Sequence, residues 1–170
     1  GSESTAGGAI DYAKRLRRPV VVDLYAGSGV IALSVVDEVP EAMVHAVEAH
    51  ESAFDWLRRN TAGTPVVVHH TDVDGCLPNP PYIPAGARIR DPEVAVHDPA
   101  SALWAGPDGL DAMRVLEANA ARLLKPGGRL VAEHADMQEV TGPAVFVEAA
   151  RWLGVADHRD LADRPRYLTA

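Results

Sequence analysis

The sequence predicts an α/β fold: a mostly parallel sheet with helices on both faces. Three observations predict it. Short β-branched runs alternate with helical spacings across short links. A glycine loop separates the first strand from the helix after it. Acidic residues recur where the strands should end, at Asp23, Glu48 and Asp72.

Residues 20–33, VVVDLYAGSGVIAL, form the centre of this arrangement. Val20, Val21 and Val22 are consecutive β-branched residues, which suits a strand buried on both faces. Asp23 falls where that strand ends. Tyr25 and Ala26 lead into Gly27, Ser28 and Gly29, and the apolar run at 30–33 opens a helix. Strand, glycine loop and helix in this order let backbone amides and a helix N-terminus hold an anionic group. Glycines serve there because a side chain would keep a ligand off the backbone. Taken alone, the pattern has several readings. Gly27 to Ala32 fits the GxGxxA dinucleotide fingerprint, with Glu48 about 20 residues on as a ribose-binding acid. It fits a methyl-donor site equally well, and a tight turn is the plainest alternative.

The remaining elements follow in order. Ile10, Ala13 and Leu16 give residues 6–16 helical spacing. Lys14, Arg15, Arg17 and Arg18 cluster at its end, which suits a helix C-terminus better than a polyanion patch. Residues 30–36 are a helix running toward Pro40, and 43–48 are the second strand. Residues 50–60 form a helix with Phe54, Trp56 and Leu57 as its apolar residues, stopped by Gly63. Residues 65–70 are a third strand, with Asp72 just past it. Ligands of such sheets bind beyond the carboxyl ends of the strands. Asp23, the glycines, Glu48 and Asp72 therefore converge on one edge. His69 and His70 are adjacent in a strand and point to opposite faces, so no metal is expected.

Residues 77–84 hold four prolines and are neither helix nor central strand. Residues 91–109 read mostly as loop. Asp108 can cap the next helix, whose buried stripe is Leu110, Met113, Leu116, Ala120, Leu123 and Leu124 and whose stop is Pro126-Gly127-Gly128. Residues 129–135 are a strand, 140–153 a helix, and 155–170 two last strands around Asp163-Arg164-Pro165.

Composition narrows the function classes. At 170 residues, with 47% apolar and 24% charged content, the chain suits a soluble domain with a sizeable core. A net charge of −8 argues against nucleic acid as a partner, since broad phosphate binding needs a basic surface. The single cysteine, Cys76, excludes an internal disulfide and a thiolate metal cluster. No apolar run approaches the roughly 18 residues of a membrane span, and no signal peptide is visible. A cytoplasmic location is expected.

Two features favour a methyl donor over a dinucleotide. Asp23 would repel a pyrophosphate, yet it can accept hydrogen bonds from the site's own loop or from the ammonium of a methionine moiety. The second feature is Asn79-Pro80-Pro81-Tyr82, a recurrent motif for methylating planar, weakly nucleophilic nitrogens. The lone pair of such a nitrogen is delocalised, so the nitrogen must be held in line at about 3–3.5 Å from the methyl carbon. The Asn79 side-chain oxygen and the Pro80 carbonyl can accept its two N–H bonds and favour the charge that develops during transfer. Prolines stiffen the loop, and Tyr82 offers a flat face to a planar group.

With these motifs in place, the chain resembles the HemK/PrmC group of class I methyltransferases, which methylate a glutamine side-chain amide in peptide-chain release factors. The matching stretches are DLYAGSGVIAL (23–33), NPPYIP (79–84), HDPASALWAGPDGLD (97–111), LKPGGRLVAEH (124–134) and DLADRPRYLTA (160–170), in the family's order. The resemblance implies a Rossmann-like, mostly parallel seven-stranded sheet whose last strand is antiparallel. It implies S-adenosyl-L-methionine as cofactor, held near Asp23, Tyr25, Ala26, Gly27, Ser28, Gly29, Glu48, Asp72 and Asn79. Asn79, Pro80, Pro81 and Tyr82 would hold the glutamine amide, with Asn79, Pro80 and Tyr82 as the catalytic set and a release factor as the protein substrate. Glu133-His134 also fits the family's strand-end pattern, but a satisfied strand-end pair is an equal reading and neither is placed in the site.

Three departures stand out. Tyr25 occupies the usual first glycine of the loop. The family carries a helical N-terminal domain and an RPETE-like segment, so residues 1–19 are expected to be a helix and linker remnant ahead of a methyltransferase domain at 20–170. Only six residues separate Asp72 from Asn79, where the family has a longer loop and an apolar fourth strand. Rival readings are an N-methyltransferase of an exocyclic amine on a nucleic-acid base, an NAD(P)-dependent oxidoreductase, and a domain that binds cofactor without turning over.

Overall fold

A computed structural model of the protein describes residues 2–72, 108–134, 138–160 and 162–170, with side chains from residue 6 onward. Asn79, Pro80, Pro81 and Tyr82 lie outside the described residues, as do Cys76 and the stretch at 97–107. The elements run α1 (Ser2–Ala13), β1 (Val20–Leu24), α2 (Val30–Glu38), β2 (Met43–Glu48), α3 (Glu51–Asn60) and β3 (Val67–His70). They continue with α4 (Asp111–Leu123), β4 (Val131–Glu133), α5 (Thr141–Glu148), β5 (Ala156–Arg159) and β6 (Pro165–Thr169).

Strands β1, β2 and β3 are parallel neighbours in that order, with Val22 opposite His45 and Glu48 opposite His70. The second sheet has the order β4-β6-β5. Its last strand in sequence, β6, runs antiparallel to both neighbours, as the resemblance implied. The described residues thus hold six strands in two three-stranded groups.

Period-two alternation sends the two sides of each central strand to different layers. Val21, Val44 and Ala46 face α1, α2 and α3, packing against Ile10, Ala13, Ile31, Val35 and Leu57. Val22, Leu24 and Val47 face the other way, toward Met113, Leu116, Leu123, Phe146 and Leu168. Helices therefore cover both faces, and the second cluster joins the two strand groups into one core. Tyr12 latches α1 to the far sheet: its hydroxyl donates to the Gly127 carbonyl at 2.7 Å, and the Arg129 guanidinium lies 4.9 Å from its ring. Among the described residues, no helix is long and apolar enough to cross a membrane.

Several boundaries differ from expectation. α1 runs from Ser2 to Ala13, so Gly7 and Gly8 sit inside it and the basic cluster falls in the turn after it. Arg18, at φ +53, reverses the chain ahead of Pro19. Trp56 is exposed under Arg59, and Leu57 alone of the expected α3 residues is fully buried. The helix expected to reach residue 153 stops at Glu148, because Ala150 adopts φ +55 and turns the chain back. The strand expected at 129–135 narrows to Val131–Glu133, although Leu130 and Ala170 still exchange backbone hydrogen bonds.

Candidate cofactor site

The carboxyl ends of β1, β2 and β3 bring most of the expected residues together. β1 delivers Asp23 and Leu24, and Tyr25 then takes φ +57. That left-handed backbone explains why glycine is usual at this position; a side chain there costs on the order of 1–2 kcal/mol. The Tyr25 ring packs against the core beside Leu24, which offsets the cost. The Ala26 amide donates to the Val47 carbonyl at 2.9 Å, carrying the loop across the end of β2.

Glu48, buried at the end of β2, organises the loop. One carboxylate oxygen accepts the Gly27 amide at 2.8 Å, and the other accepts the His50 amide at 2.9 Å. A carboxylate has about four lone-pair sites, so Glu48 keeps acceptor capacity for ribose hydroxyls. The Gly29 amide donates to the Ala26 carbonyl at 2.8 Å and closes a turn. Asp23, also buried, accepts the Ala32 amide at 3.1 Å in the first turn of α2. This donor lies in α2 rather than in the loop expected to supply it, and a carboxylate at the positive end of a helix is favourable. Leu33 donates to the Gly29 carbonyl. No described residue accepts the Val30 and Ile31 amides, which leaves two donors at the α2 N-terminus. Thr71 donates to the Glu48 carbonyl at 3.2 Å, so the chain leaves β3 beside Glu48 and reaches an exposed Asp72.

Two contacts on the loop have no counterpart in the expected set. The Asn60 side-chain amide donates to the Ser28 carbonyl at 3.0 Å. Leu57 stands so close to Gly29 that a Cβ there would lie 2.6 Å from Leu57 Cδ1. Neither carries a sequence signal, because both depend on how the end of α3 docks.

The histidines separate as strand geometry requires. His69 meets His45 across β2 and β3, with Nδ1 of His45 2.9 Å from Nε2 of His69, while His70 stacks on Phe54 on the other face. Burial pushes the pKa of both His45 and His69 down. Among the described residues, no group of three or more His, Cys, Asp and Glu is placed to hold a metal. At the second sheet, His134 is fully buried and its Nε2 donates to Asp157 at 2.5 Å, inside the sheet.

This arrangement is the Rossmann-like fold of the class I methyltransferases. The chain superposes with a TM-score of 0.71 on the ribosomal protein L11 methylase of Lactobacillus delbrueckii subsp. bulgaricus, at 15% identity over 99% of this chain and 76% of that one. The TM-score is 0.68 with a methyltransferase from Pyrococcus furiosus, at 16% identity over 96% of this chain and 81% of that one. No protein-family model matches the chain. In sequence it is 45% identical to the release factor glutamine methyltransferase of Streptomyces coelicolor, over 99% of this chain and 65% of that protein. It is 42% identical to the protein of the same name from Mycolicibacterium smegmatis, over 91% of this chain and 59% of that one. A 4-amino-L-phenylalanine/4-methylamino-L-phenylalanine methyltransferase of Streptomyces pristinaespiralis is 43% identical over 79% of this chain and 50% of that one. The resemblance to the HemK/PrmC group drawn from the motifs therefore holds. The chain spans 65% and 59% of the first two relatives' lengths.

Proposed function

We propose that this chain carries the S-adenosyl-L-methionine-dependent methyltransferase domain of an enzyme that methylates the side-chain amide of a glutamine in a peptide-chain release factor. The observation that carries this reading is the 45% identity over 99% of the chain to a protein of that name. The Glu48-tethered glycine loop supports it. The domain occupies 20–170, with residues 1–19 leading into it and its strands forming one seven-stranded sheet. The reaction takes place in the cytoplasm, where release factors act, with neither membrane nor nucleic acid as partner.

S-adenosyl-L-methionine, when bound, supplies an electrophilic methyl group on a positively charged sulfur. Glu48 holds the ribose hydroxyls. The loop from Tyr25 through Ala26, Gly27, Ser28 and Gly29 takes the methionine end, with Asp23 bracing α2 behind it and Asp72 at the rim. Asn79 and Pro80 accept the two N–H bonds of the acceptor amide and turn its lone pair toward the methyl carbon. The amide nitrogen gains one carbon bond and gives up one proton, and the carbon–sulfur bond breaks to leave a thioether. Pro81 stiffens the loop, and Tyr82 lines the acceptor face.

The deciding experiment is mass spectrometry of a release-factor peptide containing the glutamine, after incubation with the protein and S-adenosyl-L-methionine. One added methyl on that glutamine is expected. Asn79→Ala should abolish it while lowering cofactor affinity far less, because its main role is to position the reacting nitrogen. The Streptomyces pristinaespiralis relative supports a second reading with the same chemistry and a free aromatic amine as acceptor. Methylation of 4-amino-L-phenylalanine with the peptide untouched would replace the first reading by the second.

A further inference from the structure

We propose that Asn60 is a positioning residue for the cofactor loop, acting through the Ser28–Gly29 peptide; this rests on the cofactor reading above. Asn60 is the last residue of α3, and its side-chain amide donates to the Ser28 carbonyl at 3.0 Å. Across a trans peptide the carbonyl and the next N–H point in opposite directions. The N–H of that same unit, on Gly29, is held by the Ala26 carbonyl at 2.8 Å. The peptide is thus pinned from both sides, by its own turn and by α3. Leu57, one helical turn before Asn60, packs so near Gly29 that a Cβ there would lie 2.6 Å from its Cδ1, so the end of α3 lies close along this part of the loop. The end of α3 is itself fixed: the Thr61 amide and hydroxyl both donate to the Leu57 carbonyl, at 3.0 and 2.8 Å.

The pinned unit leads directly into Val30 and Ile31, whose amides no described residue accepts. Asn60 therefore sets the direction of two donors without touching the ligand. Its side chain is exposed, so water can satisfy the Ser28 carbonyl once the amide is removed, and global stability should hardly register the loss. Affinity should register it, because a peptide free to rotate must be ordered again at each binding event.

Calorimetric titration with S-adenosyl-L-methionine would be run on the unsubstituted protein, Asn60→Ala, Asn60→Asp and the exposed control Arg58→Ala. Amide hydrogen exchange at residues 27–31 would be followed without ligand. Asn60→Ala is expected to raise Kd about three- to tenfold and speed exchange at Gly29, with the melting temperature nearly unchanged. Asn60→Asp, with an acceptor facing a carbonyl, should raise Kd further, and Arg58→Ala should not raise it. Unchanged Gly29 exchange together with Kd within twofold in Asn60→Ala would overturn the proposal. If the unsubstituted protein failed to bind, the cofactor reading would fall. The exchange data would then decide the role of Asn60 alone: faster exchange supports it and unchanged exchange overturns it.

Discussion

At Gly29 the requirement for glycine has two independent sources. Its backbone sits at φ +84, where a Cβ is unfavourable, and a Cβ would also stand 2.6 Å from Leu57 Cδ1. Left-handed strain costs about 1 kcal/mol and overpacking about 1–3 kcal/mol. Gly29→Ala should therefore destabilise the protein by about 2–4 kcal/mol in urea denaturation. A change of only about 1 kcal/mol would mean that Leu57 moves aside and the backbone strain alone remains. The glycine pattern itself was legible, because ligand approach and helix entry both call for it. The pressure from Leu57 was not, because it comes from a residue 28 positions away whose docking no local pattern encodes. Glu48 is similar: its place after β2 could be read, while its grip on Gly27 and His50 could not.

The end of α5 shows the same limit for a whole element. Its apolar spacing continues past Glu148, yet the helix stops: Ala150 turns the chain at φ +55, and the residues just after it are held by a distant carboxylate. Glu117 on α4, almost fully buried, accepts Arg151 through Nε and Nη2, each at 2.6 Å, and the Trp152 indole at 2.6 Å. The Arg151 guanidinium holds its carboxyl below the usual range, with the Trp152 indole adding to the effect. Periodicity records which residues are apolar and is silent about an ion pair formed across 34 positions. Glu117→Ala strands the Trp152 N–H and should cost about 1.5–3 kcal/mol. It should also shift Trp152 fluorescence, since that ring packs edge-on against Phe146 at 5.4 Å. Unchanged emission and stability would show that α4 and α5 are held by apolar packing alone. The strand–helix alternation from β1 to β3 was far easier to read, because there each element's own pattern agrees with its place in the fold.

On the scale of the molecule, pH acts through the two half-buried imidazoles that join β2 to β3. Burial lowers both pKa values, so both rings are neutral at pH 7. Their 2.9 Å approach uses one nitrogen as donor and one as acceptor, an arrangement lost when both are protonated. The unfolded chain takes up protons near the ordinary histidine value of about 6.5, and the folded chain only at lower pH. Stability is therefore full above that value, declines as pH falls below it, and levels off once the folded rings protonate. The melting temperature should be lower at pH 5.5 than at pH 7.5, and His45→Gln with His69→Gln should flatten that slope; a slope unaltered in the double variant would assign the effect elsewhere. Glu117 acts in a separate window, its contribution disappearing only as pH drops through its depressed value. The glycine loop stands apart from both titrations. Gly27 is tied to Glu48, Ser28 to Asn60, and Gly29 to Ala26. A loop committed to one shape before any visitor arrives has little left to rearrange on arrival. On the cofactor reading proposed above, sequence changes around this loop then act mainly on how long the cofactor stays rather than on how fast it arrives.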